Sequence, residues 1–181
     1  MGHELSFVGA NPAALLYDGD EPTAFVSVWQ VDWSSEGAGG AIILLRPGEL
    51  RVLCDPPLLG RWLFDTFVTH VTELDKFPDR PARPAVERTP VKIDLDLTSG
   101  LHATAGDVNV RITGILDRRR KLENGLRLGN IPWSLSQVYM PCRSARIEAG
   151  GSVVPGTPKV KESSPPSSSA YLAVAETWAR L

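Results

Sequence analysis

The sequence is poor in the residues that most often carry chemistry. Its 181 residues include two cysteines, Cys54 and Cys142, and three histidines, His3, His70 and His102. None of these shows a metal-ligand spacing such as C-x-x-C, so no metal site is expected. Two reduced, partly buried thiols are the expectation for the cysteines, with a single disulfide between them as the alternative. No apolar run approaches the ~18 residues needed to span a bilayer, so no membrane partner is expected. The opening Met1-Gly2-His3-Glu4-Leu5 has neither a basic nor an apolar signal region, and a cytoplasmic location follows as the expectation. There is no G-x-S-x-G elbow, P-loop, H-E-x-x-H or dinucleotide fingerprint. Gly37-Ala38-Gly39-Gly40 precedes a strand pattern instead of opening a helix, so it fails as a phosphate cradle. The net charge of −2 lacks the basic excess that a nucleic-acid partner requires.

What is present is the material of one globular domain spanning 1–181. Hydrophobic residues make up 43% and charged residues 22%, which suits a buried core without covalent staples. Fifteen prolines and sixteen glycines point to many turns between short elements.

The longest helical pattern covers about 57–77. Leu59, Trp62, Leu63, Phe67, Val71 and Leu74 recur on one side, Pro57 suits the first turn, Asp55 is placed to cap it, and Pro78 closes the segment. Most of the remainder reads as strands. Residues 5–17 suggest two short elements around Gly9, Asn11 and Pro12. Residues 23–33 carry Phe25, Trp29, Val31 and Trp33 on one face and Val26 and Val28 on the other, as a strand covered on both sides would. Arg46-Pro47-Gly48-Glu49 between two apolar runs predicts a hairpin with a type II turn. Residues 91–97 alternate, with Val91, Ile93, Leu95 and Leu97 inward, and 108–113 alternate again.

Four prolines mark 78–90 as a surface connection, and 155–169 reads as a Pro/Ser-rich mobile loop. The stretch from Asp117-Arg118-Arg119-Arg120-Lys121 to Asn130 reads as a polar loop. Residues 133–140 and 144–149 read as two further strands. Residues 170–181 favour a helix on propensity, with a closing strand as the alternative. The expected fold is therefore mainly β: an antiparallel β-barrel or strongly curved sheet with one amphipathic helix packed on it.

Five tryptophans are the most suggestive chemical feature. Trp29, Trp33, Trp62 and Trp133, with Trp178, could line a cavity for a small apolar or aromatic molecule. Gln137, Tyr139, Arg143 and Glu176 could supply its polar contacts. His70, beside Glu73 on the helical pattern, and His102, beside two turns, are the candidate acid–base groups. Asp94 and Asp96 share a strand face, and Asp117 to Lys121 could hold an anion such as a carboxylate or phosphate. The arrangement resembles lipocalin-like barrels and split flavin-binding barrels in pairing many antiparallel strands with one helix. The lipocalin likeness implies small-molecule binding, and the split-barrel likeness implies a flavin-binding oxidoreductase. The leading expectation is a small-molecule-binding domain, or an enzyme built on such a pocket with no cofactor. The alternative to both is a non-catalytic subunit that forms a homodimer through the helix or a strand edge.

Overall fold

The computed structural model describes residues 3–181. The chain opens with β1 (Glu4–Ala10), β2 (Ala13–Asp18), β3 (Glu21–Ser34), β4 (Gly39–Arg46) and β5 (Glu49–Asp55). A helix follows, α1 (Pro57–Thr66), and then two short 3-10 turns, Val68–His70 and Thr72–Lys76. β6 (Val86–Arg88), β7 (Val91–Asp96), β8 (Gly100–Ala105) and β9 (Val108–Ile115) lead to β10 (Arg119–Leu128) and the long β11 (Ile131–Ala149). Four two-residue strands, β12 (Ser152–Val153), β13 (Thr157–Pro158), β14 (Val160–Lys161) and β15 (Ser167–Ser168), precede the final β16 (Ala170–Arg180).

The main sheet runs β6-β5-β4-β3-β1-β16-β11-β9-β8-β7, and every pair in it is antiparallel except β5 with β6. It curves so strongly that its far end returns over its beginning, and Val91 and Ile93 of β7 rest on Gly40 of β4. A side chain at Gly40 would meet both at 3.2 Å, so this glycine lets the two edges approach. The sheet is strongly curved without being a clean barrel. β11 holds the halves together: Trp133 to Pro141 pair with β16, and Cys142 to Glu148 pair with β9.

The curved sheet has two apolar faces. The inner one is aliphatic and holds no aromatic ring, mixing small side chains such as Ala14, Ala24, Val26 and Ala103 with larger ones such as Leu16, Ile42, Leu101 and Met140. The outer one carries Phe7, Phe25, Trp29, Val31, Trp133 and Trp178, and α1 covers it with Leu59, Leu63 and Phe64. β3 therefore contributes to both, as its two-sided apolar pattern predicts. Phe67, just past the end of α1, is the centre of this layer. Its ring centroid lies 5.1 Å from Trp178 and 5.4 Å from each of Trp29, Trp62 and Trp133, with Phe7 at 6.2 Å.

Several expectations need correction. The helix ends at Thr66, and 3-10 turns carry the chain to Lys76, because both geometries return Val68 and Leu74 to the sheet. Asp55 does not cap it: Pro56 occupies that position, and Asp55 faces Arg88 at 3.3 Å. Residues 119–128 are a strand, not a loop, and 131–149 form one strand where two were expected. Residues 170–180 are a strand, whose Ala170 and Ala173 are buried in the middle of the sheet. Leu97 is exposed, because β7 stops at Asp96, whose carboxylate accepts the backbone N–H groups of Thr98 and Ser99 in a turn. The segment 155–169 holds the ladders of β13, β14 and β15.

One irregularity decides what faces where. On β16, Thr177 pairs with Ser136 and Val174 with Val138, so two residues, Ala175 and Glu176, oppose Gln137 alone. This β-bulge turns the pleat over. Leu172 and Val174 point to the inner core, whereas Glu176 and Trp178 point to the outer face. Ala175 takes φ +47°, a left-handed conformation that favours glycine.

Two variants test this description. Phe67→Ala should cost about 3–5 kcal/mol in denaturant unfolding, as other large-to-small changes in a packed core do. Ala175→Gly should stabilise by about 1 kcal/mol, raising Tm by roughly 2–4 °C. A lower Tm for Ala175→Gly would contradict the bulge.

Candidate functional site

Beside the aromatic layer, the outer face of the sheet is not filled. A hollow of about 250 Å³ lies over β10, β11 and β16. Its floor is the row of cross-strand neighbours that point outward: Lys121 from β10, Leu135, Gln137 and Tyr139 from β11, and Tyr171, Ala173, Glu176 and Trp178 from β16. Asn11, from the turn between β1 and β2, and Val71, between the two 3-10 turns, close it. Asn11 is held by bonds from its Nδ2 to Ser27 Oγ and the Val28 carbonyl, both at 2.9 Å, and from its backbone N–H to the Ala173 carbonyl at 2.8 Å. The site is therefore built mainly on rigid strands, which fix side chains better than loops do.

Glu176 is its most unusual member. The residue is only 2% exposed, yet it ends in a carboxyl group. The bulge aims it at the hollow, and opposite it on β1 stands Gly9, whose backbone lies close against Gln30 of β3. A Cβ at Gly9 would lie 1.9 Å from the Gln30 carbonyl oxygen, so this position admits no other residue without a shift of backbone. The Trp178 indole N–H donates to Glu176 Oε1 at 2.6 Å. That bond favours the ionised form, and Lys121 acts in the same direction. Burial acts against both and dominates, pushing the carboxyl from its ordinary value near 4.5 up to about 8. Burial also drives the Tyr171 hydroxyl far above its usual range, and the negative charges of Glu73 and Glu176 add to the effect.

At neutral pH the hollow thus presents a protonated carboxyl and the Tyr171 phenol, beside the Tyr139 ring, the amides of Asn11 and Gln137, the Lys121 side chain and an indole edge. A carboxyl with this affinity for protons can donate a hydrogen bond to a ligand, and can give up or accept a proton near neutrality. The Tyr139 hydroxyl is committed elsewhere, donating to the Ser168 carbonyl at 3.2 Å. Its ring stands 5.4 Å from that of Tyr171 and lies beneath the Arg119 guanidinium at 5.2 Å.

Of the residues singled out from sequence, the structure brings Gln137, Tyr139, Glu176 and Trp178 together at this hollow. Trp29, Trp62 and Trp133 pack around Phe67 and do not line it. The Nε1 atoms of Trp29 and Trp133 are buried without a partner among the described residues. Trp33 lies 46% exposed near the end of β3. His70 is exposed on the first 3-10 turn, with its ring against Gly129. His102 stands on β8 between Asp94 and Arg111, far along the sheet order. Arg143 pairs with Glu162 at 2.8 Å on the surface.

Tyr171 and Asn11 were not recognisable as site residues, and Lys121 was named only as part of the anion-holding stretch Asp117 to Lys121. Asn11 reads as a turn former, and Lys121 belongs to a run of basic residues that reads as a solvated loop. Read as a strand, that run alternates, and the alternation is the signal that places Lys121 beside Gln137. Cys54 and Cys142 are both free and buried, and burial lifts each thiol to about 11, so neither is a nucleophile at neutral pH.

No protein-family model matches the chain, and no curated protein or solved structure is significantly similar to it.

The raised proton affinity of Glu176 has a measurable consequence. The folded chain holds this proton more tightly than the unfolded chain does. The contribution to stability is complete below pH 4.5 and drains away as the pH climbs toward 8. A shift of this size corresponds to a loss on the order of 3–5 kcal/mol across that window. Glu176→Gln keeps an oxygen for the Trp178 N–H and has nothing to ionise. Thermal melts should therefore show the wild type falling in stability from pH 5 to pH 9 more steeply than this variant. Parallel curves would mean that Glu176 ionises freely.

Proposed function

We propose that this chain is a small-molecule-binding domain whose ligand occupies the hollow at Glu176. The observation that carries the reading is the buried carboxyl itself. Placing it there costs stability, and an apolar residue of similar volume would pack the same position more cheaply. A strongly perturbed titratable group in a recess is a mark of a functional site. The other lining groups fit the same reading. They combine aromatic and apolar surface from Trp178, Tyr171, Leu135 and Val71 with a few fixed polar groups, as ligand pockets do.

Size narrows the ligand. An apolar cavity of about 150 Å³ accommodates benzene. A hollow of about 250 Å³ therefore suits a single ring with one or two substituents better than a fused polycyclic body. Trp178 and Tyr171 offer ring faces and edges to it, and Glu176, Gln137 and Asn11 offer hydrogen bonds. An enzyme built on this hollow would be a proton-transfer catalyst, with Glu176 as the group that gives or takes the proton and no cofactor needed for that step.

Titration with single-ring aromatics, followed by intrinsic tryptophan fluorescence, tests the reading. Ligands that enter should quench or shift emission in the wild type, and Trp178→Phe should remove most of the response. Glu176→Leu should weaken binding of ring compounds bearing a hydrogen-bond acceptor by about 10-fold, the effect of one lost hydrogen bond to a buried group. Emission that ignores every such compound would refute the pocket.

A further inference from the structure

The hollow holds one acid whose hydrogen bonding is incomplete. Glu176 accepts from the Trp178 indole N–H on Oε1, and no other donor among the described residues bonds to its carboxyl. We propose that the ligand of the hollow is a single-ring primary amine, bound as its ammonium ion, with its nitrogen on Glu176 and its ring against Tyr171 and Trp178. This rests on the reading of the hollow as a ligand site and adds the chemical class.

The fixed charges around the hollow favour a cation. Lys121 is paired with Glu123 at 2.7 Å, and Arg119 with Asp117 at 2.9 Å. Arg120 stands opposite Val138, which packs on the inner core, so it lies on the other face of the sheet. Glu73 remains. It makes no ion pair among the described residues, and it lies close enough to Tyr171 for its charge to act on that hydroxyl. The charge left over beside the hollow is therefore negative, before Glu176 itself is counted.

The lining suits an ammonium as well. Ring faces attract cations, and the Arg119 guanidinium already lies over the Tyr139 ring at 5.2 Å. Tyr171 stands next to that ring at 5.4 Å, and Trp178 lines the same space. Asn11 spends its Nδ2 donors on Ser27 and Val28, so what its amide has left to offer is an oxygen, an acceptor for an ammonium N–H. A metal ion would need more. Among the described residues no three His, Cys, Asp or Glu side chains come together to hold one.

Binding of the amine is coupled to a proton. In the free protein, burial keeps the Glu176 carboxyl protonated at neutral pH. An arriving ammonium displaces that proton to solvent and keeps its own three. The two ions then form a pair, with the Trp178 N–H bonded to the carboxylate, and no covalent bond of the ligand changes. The other charged or titratable groups facing this space are Lys121 of β10 with its partner Glu123, Tyr139 of β11, Tyr171 of β16 and Glu73 of the second 3-10 turn. Raising the pH toward 8 prepares the Glu176 carboxylate. It leaves an alkylammonium charged, since such a group titrates near ~10 as lysine does. Amine affinity therefore rises with pH over this window.

The test compares matched probes. Benzylamine and 2-phenylethylamine are titrated against benzyl alcohol and 2-phenylethanol, with phenylacetate as an anion, at low salt, following tryptophan emission. Near neutral pH the amines should bind the wild type about 10-fold tighter than the alcohols, the worth of a hydrogen bond to a charged group. Between pH 6 and pH 8 the affinity for amines should climb by about 10-fold, while that for alcohols does not rise. In Glu176→Gln, once its melting curve shows a folded chain, the amines should lose both their advantage over the alcohols and their pH dependence. Should that variant not fold, the pH series on the wild type decides. Alcohols that bind as tightly as the amines, an amine affinity that stays flat with pH, or an advantage that survives Glu176→Gln would overturn the amine and leave the hollow standing. Tighter binding of phenylacetate than of either amine would do the same. Failure of every probe, alcohols included, would remove both this inference and the pocket beneath it.

Discussion

Phe67 is the contact on which the outer half of the molecule depends. A curved sheet with one aliphatic inner core leaves its convex side apolar, and that side must be covered. One ten-residue helix is too short to cover it alone. The rings of Trp29, Trp62, Trp133 and Trp178 solve the problem by converging on a single phenylalanine at the point where α1 gives way to 3-10 turns. Edge-to-face and tilted contacts of this kind add to the burial of the rings themselves. They also explain why the tryptophans, taken together, are a solid layer and not the wall of a cavity. Only Trp178, at the margin of the layer, has one side on the ring cluster and another on the hollow.

The hollow owes its character to a single extra residue. Without the bulge at Ala175, strict alternation would set Glu176 and Trp178 on the same side as Leu172 and Val174, inside the aliphatic core. That core is aliphatic and offers no hydrogen-bond partner to an indole or a carboxyl. With the bulge, both side chains reach the outer face, where Trp178 donates to the acid and packs on Phe67. The strain of a left-handed alanine is the local cost of that arrangement. Strained backbone beside a buried acid is a pairing that packing alone does not require.

How much of this was readable from the chain follows from where its patterns are clean. β3, the β4–β5 hairpin and β7 announce themselves, because each is faced by one environment per side and its residues alternate or stay apolar to match. Leu97 is the exception at the end of β7, where an aspartate turn cuts the strand short. β10 was hidden, because among the described residues it pairs with β11 alone and its first half, Arg119-Arg120-Lys121, is charged on both faces. β16 was hidden twice over. Its alanines suit a helix as readily as a crowded sheet, and its bulge breaks the alternation that would have identified a strand. The same bulge concealed the site: Glu176 and Gln137 could be named as polar candidates, but no periodic rule places them in one recess. The four tryptophans were legible as an apolar resource, and only the registers decide which of them meets open space.

The order of the strands has a consequence for how the molecule comes into being. β16 is made after the fifteen strands that precede it, yet it sits in the middle of the sheet, with β1 on one side and β11 on the other. Its pairing of Arg180 with Glu4 joins residues far apart in the sequence. A chain synthesised only as far as β15 would hold two half-sheets, each with an unsatisfied edge and an uncovered apolar face. Such long-range pairing is slow, because chain entropy is lost before the contacts that reward it are formed. The half-sheets would meanwhile be available to bind each other's equivalents in neighbouring chains. The strand that carries Glu176 and Trp178 is thus also the one whose arrival ends that exposure, so the hollow cannot exist until the sheet is whole.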